Sequence, residues 1–546
     1  MKSSAVVSNV LACGLLALRG AQAVTLSPNT QDLFDESMNF LDTIYDRSAS
    51  YLYYFYYPLA AGPHETRSSV WYATGLLQRN KGDDVEQAVK IIKAVIGDQE
   101  KNKTLQWFGD YTVYPEQPTV GTEAYPAVIY NSWDPNWRGF IGTNLIVIYE
   151  EFQHLLPQDV QGLIVESMVN NTIGDSYRVG GVDDDNLFPS YSNPSLMRAV
   201  ASGWTGRKVN DANMTAAGEM YAQEILDLFN LNNTLSEFNS GTYAGVSIYA
   251  LTLWAKYMPQ DSIMGQNGAR MLKQVWETTA ALYNPLLRNL AGPWDRSYGY
   301  DMNKYVAILG IYLWSLLGKD QAFGEKSRVW SLAHADDFEY APLIAVLAPF
   351  HDSLVSDCTI ASLKSTREHT VTTSAFAPPH DMVPRNVTTW MYANLTIGAE
   401  SFRQDVLGGA RADNSQWNPA VVQWARPYDS SVGYMTLHAS EMALDVGVAP
   451  YALNLTYPAG NSSSSFTFLI APNPLGQKRD ITDLADINGL KFEVGGTVDP
   501  KPQSTFCGLV GGTCSIIHGF EFWNLTFTMP AGSTEVPSIT FKFELE

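Results

Sequence analysis

The spacing of apolar residues changes once along this chain of 546 residues, and the change predicts two kinds of domain. From Ser27 to Tyr340 the apolar residues recur at helical spacing, as in the stretch Asp84–Gly97. This part predicts roughly a dozen helices, separated by polar and aromatic loops that contain glycine. From Ser365 onward, short alternating runs such as Val421–Trp424 are separated by Gly, Pro, Asn and Ser, a pattern typical of antiparallel strands.

The two patterns predict an N-terminal (α/α) toroid over residues 24–350 and an antiparallel β-sandwich over residues 365–546. Helices without a sheet can bury their apolar faces by forming hairpins that close into a ring. The run Lys304–Leu317 is apolar nearly all round, as an inner helix of such a ring has to be. An open helical solenoid is the alternative. In a closed ring the loops at one end converge on an axial cleft.

Residues 1–23 predict a secretory signal peptide. Lys2 supplies the positive charge, Val6–Leu18 the apolar stretch and Ala21-Gln22-Ala23 the cleavage pattern. A signal anchor is the alternative, although the apolar stretch is short for a membrane span. We therefore expect a secreted, extracellular glycoprotein. Its Asn-X-Ser/Thr sites are Asn102, Asn170, Asn213, Asn232, Asn386, Asn394, Asn454, Asn461 and Asn524.

Cysteine content and charge limit the classes of partner. Cys507 and Cys514 bracket a short glycine-rich loop and predict a disulfide in an oxidising compartment. The sequence contains no CxxC or HExxH motif, so it shows no recognisable zinc site, and no cofactor is expected. The net charge of −21 argues against binding nucleic acid or an anionic membrane through general charge attraction. It also weighs against a polyanionic substrate unless basic side chains gather locally. The sequence leaves the oligomeric state open.

The loops before the helices are rich in aromatic, acidic and amide side chains. Asn, Ser or Asp before a helix is ordinary capping, but here Trp, Tyr and Arg accompany the caps at helix after helix. Aromatic residues make up 12% of the chain, and flat rings with polar handles suit the faces of sugars. We predict a carbohydrate-binding rim formed by His64, Glu65, Asn131, Trp133, Asp134, Trp137, Arg138, Tyr191, Asn239, Tyr243, Trp294 and Tyr300.

One loop, Gly292–Met302, is the richest in groups that could carry chemistry. It supplies two carboxylates, a guanidinium, two phenols and an indole. Gly and Pro make it a loop rather than a helix. Packing of the rings around an internal ion pair would explain the same composition. The predicted catalytic residues are Asn136, Asp295, Arg296, Tyr298 and Asp301.

Two segments resemble a known group of enzymes. Asn136–Gly142 is similar to the Asn-Trp segment that polysaccharide lyases of the heparinase II/III and chondroitin AC types place in a toroid cleft. Tyr298, close to Arg296, resembles their acid/base tyrosine with its nearby arginine. The resemblance implies a toroid followed by a sandwich, and β-elimination on a glycan that contains uronic acid. The loops also resemble those of an uncharacterised group of secreted fungal proteins.

The resemblance implies roles for these residues and needs no metal. Asn136, with Asn131 or Arg138, would neutralise the substrate carboxylate and acidify the C5 proton. A tyrosine or histidine would take that proton, and Tyr298 would donate one to the leaving oxygen. Arg296 would favour the ionised phenol. Three histidines are candidates for the base: His64, His154 and His380.

Two other functions fit the same residues. An inverting glycoside hydrolase on this toroid would need two facing carboxylates, for which Asp295 or Asp301 would pair with Asp134 or Glu65. A non-catalytic glycan-binding or cell-wall protein would need the aromatic rings alone. Convergence of Asn136, Asp295, Arg296 and Tyr298 in one cleft would favour an enzyme.

Overall fold

The computed structural model describes residues 24–56, 63–297, 307–324, 328–329, 334–404, 417–427, 432–470, 481–507 and 522–546. Within these ranges the chain forms thirteen α-helices followed by a large antiparallel sheet, which confirms the predicted fold class. The helices are α1 (Pro28–Ile44), α2 (Thr66–Arg79), α3 (Asp84–Gly97), α4 (Trp137–Phe152), α5 (Gln158–Asp175), α6 (Ser192–Val209), α7 (Ala212–Asn232), α8 (Ala244–Tyr257), α9 (Ile263–Leu282), α10 (Ile308–Leu317), α11 (Lys319–Ala322), α12 (Ala341–Ser353) and α13 (Asp357–Leu363).

Six alternate helices form a closed inner ring. Helices α2, α4, α6, α8, α10 and α12 are buried on nearly every side, whereas α1, α3, α7 and α9 bury one face. Each inner helix packs against the next, and α12 returns to pack against α2. The packing is close, since a Cβ added at Gly245 of α8 would lie 2.4 Å from the backbone nitrogen of Leu309 in α10. The ring is therefore closed and is not an open solenoid.

The periodicity did not reveal α12, the helix that completes the ring. This helix carries Pro342 in its first turn and Pro349 near its end. A proline fits the first turn of a helix but breaks the apparent pattern. The part of the chain that the structure describes has no single helix long and apolar enough to cross a membrane, although residues 335–353 and 357–363 pass that test together as a bent pair.

The C-terminal part is one curled antiparallel sheet. Its strands are β6 (His369–Ala375), β7 (Arg385–Tyr392), β8 (Leu395–Arg403), β9 (Ala420–Ala425), β10 (Val432–Ala439), β11 (Ala443–Ala449), β12 (Ala452–Thr456), β13 (Ser465–Ile470), β14 (Leu490–Gly496), β15 (Gln503–Cys507), β16 (Phe522–Thr528) and β17 (Ser538–Leu545). Five short strands precede them as small hairpins within the toroid: β1 (Tyr45–Asp46), β2 (Tyr51–Tyr53), β3 (His64–Glu65), β4 (Tyr283–Asn284) and β5 (Asn289–Leu290).

The strand order explains why the sheet encloses a core as a sandwich does. The order is β14-β17-β12-β11-β8-β9-β10-β13-β16-β15, and the β6–β7 hairpin also joins β8. Strand β8 pairs with β9 through Leu395–Ala399 and with β11 through Phe402–Arg403. The two flanks curl toward each other, so that the ring of Phe541 lies 5.1 Å from that of Phe468. The two layers are thus continuous through β8.

Some predicted modifications can be located in the structure. Asn102, Asn213, Asn386, Asn394, Asn454 and Asn461 are exposed, and Asn170 and Asn232 are half-buried. Asn524 lies on β16 and is only 6% exposed, which leaves no room for an oligosaccharide. The structure therefore argues against the predicted glycosylation of Asn524. Cys507 is disulfide-bonded, and its predicted partner Cys514 lies outside the described residues.

A buried guanidinium joins the toroid to the sheet. Arg385, on β7, pairs with Asp295 of the toroid and donates from Nε to Asp381 at 2.9 Å. Its Nη2 donates to the backbone oxygen of Ser236 at 3.0 Å, and its Nη1 lies 3.5 Å from Glu400. Burial raises the pKa of Asp295 to about 6 and that of Glu400 to about 7, although the Arg385 charge opposes both shifts. Three carboxyls therefore share one cation away from water.

We predict that Arg385→Met lowers the free energy of unfolding by about 3–5 kcal/mol, because the buried carboxylates lose their cation. Urea unfolding measures the change. Lys542→Met is the matched control, since Lys542 and Glu493 form an exposed ion pair at 3.7 Å. The control is expected to change stability by less than about 1 kcal/mol. Equal losses in the two variants would contradict the role of Arg385.

We also predict that the Glu400 carboxyl makes stability fall as pH rises. Its pKa is raised from 4.5 to about 7, so the folded protein holds a proton that the unfolded chain releases. This contribution is complete below pH 4.5 and is lost as pH approaches about 7. Glu400→Gln keeps an oxygen for Trp417 Nε1, which donates to Glu400 at 2.7 Å, and removes the titration.

The measurement is thermal unfolding across that pH window, with Glu493→Gln at the exposed pair as control. Glu400→Gln is expected to flatten the fall in stability, and the control to leave the wild-type slope. A slope unchanged by Glu400→Gln would show that the proton is held elsewhere, with Asp295 the first group to examine.

Candidate active site

The starts of the inner helices meet on one rim of the toroid. The guanidinium of Arg67, in the first turn of α2, lies 4.4 Å from the ring of Trp137, which begins α4. Asn136 before α4 contacts Tyr191 before α6, and Trp71 of α2 packs on Tyr340 before α12 at 4.3 Å. Helix starts present unpaired N–H groups and the positive end of the helix dipole, so this rim favours anions.

A chain of polar contacts fixes the Asn136 side chain. Arg178 donates to Asn136 Oδ1 from Nη1 at 3.0 Å, and its other nitrogens hold Asp185 at 2.9 and 3.2 Å. Asn136 Nδ2 in turn donates to the hydroxyl of Tyr191 at 3.2 Å. Asp134 Oδ1 accepts the backbone N–H of Asn136 at 2.9 Å. The amide nitrogen is therefore turned toward the phenol, and the amide oxygen toward the guanidinium.

Arg296 completes this group from the loop after β5. Its guanidinium lies 4.0 Å from the ring of Tyr243 and 5.3 Å from that of Tyr191. Arg296 Nη1 is 3.3 Å from Glu237, whose other oxygen accepts from the Asn193 backbone and side chain at 2.8 Å. We name Asp185, Arg178, Asn136, Tyr191, Arg296 and Glu237 the rim cluster.

Burial and the charges of nearby guanidiniums shift pKa values in opposite directions in this part of the rim. Burial raises the pKa of Asp134, while the charges of Arg178, Arg67 and Arg296 oppose that shift. Burial likewise raises the pKa of Tyr191, against the charge of Arg296 and a hydrogen bond to it. Tyr191 is therefore protonated at neutral pH.

A second group lies beside the rim cluster, across Arg67. The Arg67 guanidinium rests against the rings of Trp71, Trp137 and Phe140, at 4.4–5.2 Å from their centroids, and Nη2 is 3.3 Å from Glu65. The charges of four nearby carboxyls raise the pKa of this guanidinium: Glu65, Asp336, Asp337 and Glu339. Burial raises the pKa of Asp337 and Glu339 well above their ordinary values. This part of the rim is rich in carboxyl groups.

The structure corrects the roles of four predicted site residues. Asp295 is bound to Arg385 in the domain interface, and its Oδ2 accepts the Phe238 N–H at 2.9 Å, so it faces no cleft. Trp294 is buried in the same interface, exchanging backbone hydrogen bonds with Asn418. Arg138 is fully buried and donates to the Phe108 backbone oxygen at 2.9 Å. Asn239 Nδ2 holds the backbone oxygens of residues 291 and 293 at 2.7 Å.

The remaining predicted residues fall into three groups. Asn136, Tyr191, Arg296, Tyr243 and Asp134 come together at the rim. His64, Glu65 and Trp137 lie at the start of α2 and α4, while Trp133 is buried and Asn131 is exposed on the loop before α4. The predictions for Tyr298, Tyr300 and Asp301 lie outside the described residues.

The three candidate histidines occupy different places. His64 pairs with Glu116 and stacks on Tyr53, with ring centroids 4.8 Å apart. His154 lies in a short 3-10 helix after α4, at the opposite end of that helix from Asn136. His380 packs on Phe188, in the loop that leads into α6, with centroids 5.6 Å apart. His380 is therefore next to the segment that carries Tyr191.

Sequence reasoning missed three residues that shape the site. Arg178 and Glu237 contact Asn136 and Arg296 across 42 and 59 residues of chain, and neither belongs to a motif. Arg67 follows the predicted residue Glu65 by two positions, but nothing in the sequence showed that three rings would surround it.

Comparisons with known families and structures describe what the chain is similar to. The family described as domain of unknown function DUF8769 matches residues 31–349, and domain of unknown function DUF8770 matches residues 367–544. A search of curated proteins finds no match.

Solved structures show a likeness over almost the whole chain. Heparinase III matches at 9% identity with a TM-score of 0.39, over 99% of this chain and 88% of that one. Chondroitin AC lyase of Streptomyces coelicolor A3, in complex with chondroitin sulphate, matches at 10% identity and 0.36, over 95% and 80%. Heparan sulfate lyase HepC of Pedobacter heparinus matches at 8% and 0.30, over 96% and 84%.

We predict that Arg296→Met raises the pKa of Tyr191 further, because the nearest cation is lost and Glu237 remains. Carbon-13 NMR of labelled tyrosine measures the titration, and Tyr191→Phe identifies the resonance. Arg296→Lys, which keeps a positive charge, is expected to stay closer to wild type. A Tyr191 titration that is unchanged or shifted downward in Arg296→Met would contradict the electrostatic role of Arg296.

Proposed function

We propose that the chain, which belongs to the DUF8769 family, is a secreted enzyme that cleaves a uronic-acid-containing polysaccharide by β-elimination. The observation that carries this proposal is the contact between an oriented amide and a phenol beside an arginine, formed by Asn136, Tyr191 and Arg296. The signal peptide predicted at residues 1–23 and the exposed Asn-X-Ser/Thr sites support secretion. The function rests on these residues and not on the likeness to solved lyases.

Asn136 has the role of charge neutralisation. Arg178 holds its amide oxygen, so both N–H groups of Nδ2 point away from that guanidinium. One N–H reaches Tyr191, and the other donates to the C5 carboxylate of a bound uronate. A hydrogen bond to that carboxylate stabilises the negative charge that develops when the C5 proton leaves. Arg178 and Asp185 position the amide and do not touch the substrate.

Tyr191 has the role of proton donor. Its raised pKa keeps the proton on the phenol at neutral pH. In β-elimination a base takes the C5 proton, the electron pair forms the C4–C5 double bond, and the C4–O bond breaks. The leaving oxygen then takes a proton, which Tyr191 supplies. The sequence predicts this donor role for Tyr298, which lies outside the described residues, and we assign it to Tyr191 instead. The base stays a tyrosine or histidine, as the sequence predicts.

The acidic composition weighs against an anionic substrate, but basic side chains gather at the rim. The whole chain has a net charge of −21, yet three guanidiniums act on Asp134 at the rim. Each of the three, Arg178, Arg296 and Arg67, is paired with one carboxylate, while burial raises the pKa of Asp134 and so lowers its negative charge. The helix starts add partial positive charge. A single substrate carboxylate can therefore bind at Asn136 although the protein as a whole repels polyanions.

One observation favours a glycoside hydrolase as the second candidate. Asp134 has a raised pKa and lies at the rim, as a general acid would. Of the two carboxylates predicted to pair with Asp134, Asp295 is bound to Arg385 and Asp301 lies outside the described residues. A hydrolase would produce reducing ends on neutral glycans without an unsaturated product.

We predict that wild-type protein, incubated with a panel of uronate polymers, produces unsaturated uronates detected by their ultraviolet absorbance. Tyr191→Phe is expected to lower the rate by about 10²–10⁴-fold, because a positioned proton donor contributes that much. Asn136→Ala is expected to lower it by about 10²–10³-fold through lost charge stabilisation. Reducing ends are assayed in parallel on neutral glycans.

The matched control is Tyr221→Phe. Tyr221 on α7 also lies against an arginine, Arg198 at 3.8 Å, but does not contact Asn136. The control is expected to keep the wild-type rate. Reducing ends that appear without unsaturated product, and depend on Asp134, would replace the lyase by the hydrolase. Glycan binding without either product would indicate a non-catalytic protein.

A further inference from the structure

The segment before α12 carries ligand-type side chains that the proposed reaction does not use. His334, Asp336 and Asp337 each offer one nitrogen or oxygen atom, and these atoms lie within 4.8 Å of one another. Among the described residues this is the one group of three His, Cys, Asp or Glu side chains with that geometry. His334 Nδ1 is 3.6 Å from Asp336 Oδ1. Two ligands of a tetrahedral Zn²⁺ lie about 3.4 Å apart, so this spacing suits a shared ion.

A buried carboxylate beside this group has no hydrogen-bond partner. Glu339 is completely buried, and neither of its oxygens makes a hydrogen bond; the Ser68 hydroxyl is near but outside hydrogen-bond geometry. Asp337 Oδ2 is likewise buried without one. Glu339 and Asp336 lie in the 3-10 helix Ala335–Tyr340, three residues apart. Side chains at that spacing share one face of a 3-10 helix, so the Glu339 carboxylate lies on the Asp336 side.

The surrounding charges leave these carboxyls undercompensated. Arg67 is the guanidinium that acts on Asp336, Asp337 and Glu339, and it is already paired with Glu65. A buried carboxylate stays ionised only when a cation or hydrogen bonds stabilise it. Tyr56 donates to Asp336 Oδ1 at 2.9 Å, in the manner of a group that orients a metal ligand.

We propose that His334, Asp336 and Asp337, which together with Glu339 we name the acidic turn, bind one divalent transition-metal ion of the Zn²⁺ or Mn²⁺ type. The imidazole and the two aspartates supply the ligands, and the buried Glu339 carboxyl adds an uncompensated acidic group beside them. An imidazole ligand disfavours Ca²⁺ and Mg²⁺, which prefer oxygen atoms alone. The ion fixes the turn that begins α12, the helix that closes the inner ring against α2. This site is separate from the rim cluster.

The test titrates full-length protein, freed of metal with a chelator, with ZnCl₂, MnCl₂ and CaCl₂. Calorimetry measures stoichiometry and affinity, and electron paramagnetic resonance follows bound Mn²⁺. We expect one equivalent of Zn²⁺ or Mn²⁺ to bind and to raise the melting temperature. Asp336→Asn/Asp337→Asn is expected to weaken the affinity at least about tenfold, since these variants keep side-chain size but lose the ligand charge.

Asp183→Asn/Asp184→Asn is the matched control, because these two aspartates are adjacent and exposed. The control should bind metal as wild type does. His334→Ala is a second, independent variant at a half-exposed side chain and should also weaken binding. The absence of saturable binding, or equal binding by wild type and Asp336→Asn/Asp337→Asn, would overturn the proposal. Ca²⁺ binding as tight as Zn²⁺ binding that survives His334→Ala would overturn the imidazole as ligand.

Discussion

The inner helices of the toroid are buried on almost every side, and this constraint sets the position of the candidate site. A helix such as α10, Ile308–Leu317, needs apolar neighbours all round, which a closed ring provides and an open array does not. The starts of consecutive inner helices therefore meet at one rim. Arg67 of α2 lies against Trp137 of α4, and Gly245 of α8 lies against Leu309 of α10. The N–H groups and dipoles of these starts act on the same cleft, so the fold itself prepares an anion-binding surface.

Contacts across the domain interface give adjacent residues of the loop after β5 different roles. Asp295 turns inward to Arg385 of the sheet, while the next residue, Arg296, turns to the rings of Tyr191 and Tyr243. Thr389 of β7 also donates to the Gly292 backbone oxygen at 2.7 Å. A Cβ added at Gly398 of β8 would lie 1.7 Å from that same oxygen, so strand and loop are in direct backbone contact. The sheet therefore positions Arg296 without itself supplying a described residue of the rim cluster.

Periodicity was enough to predict the fold class, because helix and strand patterns depend on nearest neighbours and on which face is buried. It failed at α12, where Pro342 and Pro349 interrupt the pattern of a helix that the ring nevertheless requires. The rim residues Asn136 and Tyr191 were predictable as residue types before helices.

The direction of each side chain was not predictable from local sequence. Asp295 and Arg296 are adjacent and face opposite environments, because the partner of Asp295 lies on a strand 90 residues later. Arg178 could not be assigned for the same reason, since its contacts with Asn136 span 42 residues. Long-range pairing, and not composition, separates the interface residues from those of the site.

Under the proposed function, the uneven distribution of charged groups around Arg67 restricts the kind of glycan that the rim can hold. Arg178 and Arg296 lie on the Asn136 side, whereas Glu65, Asp336, Asp337 and Glu339 surround Arg67 on the other. A carboxylate bound at Asn136 gains from the guanidiniums and the helix starts. A second anionic group reaching past Arg67 would find that guanidinium already paired with Glu65, beside two carboxyls that burial keeps protonated, so its charge would gain little compensation there. The proposed lyase would on this basis prefer a chain in which uronates alternate with neutral sugars over a densely sulfated one, and a cation in the acidic turn would weaken that preference.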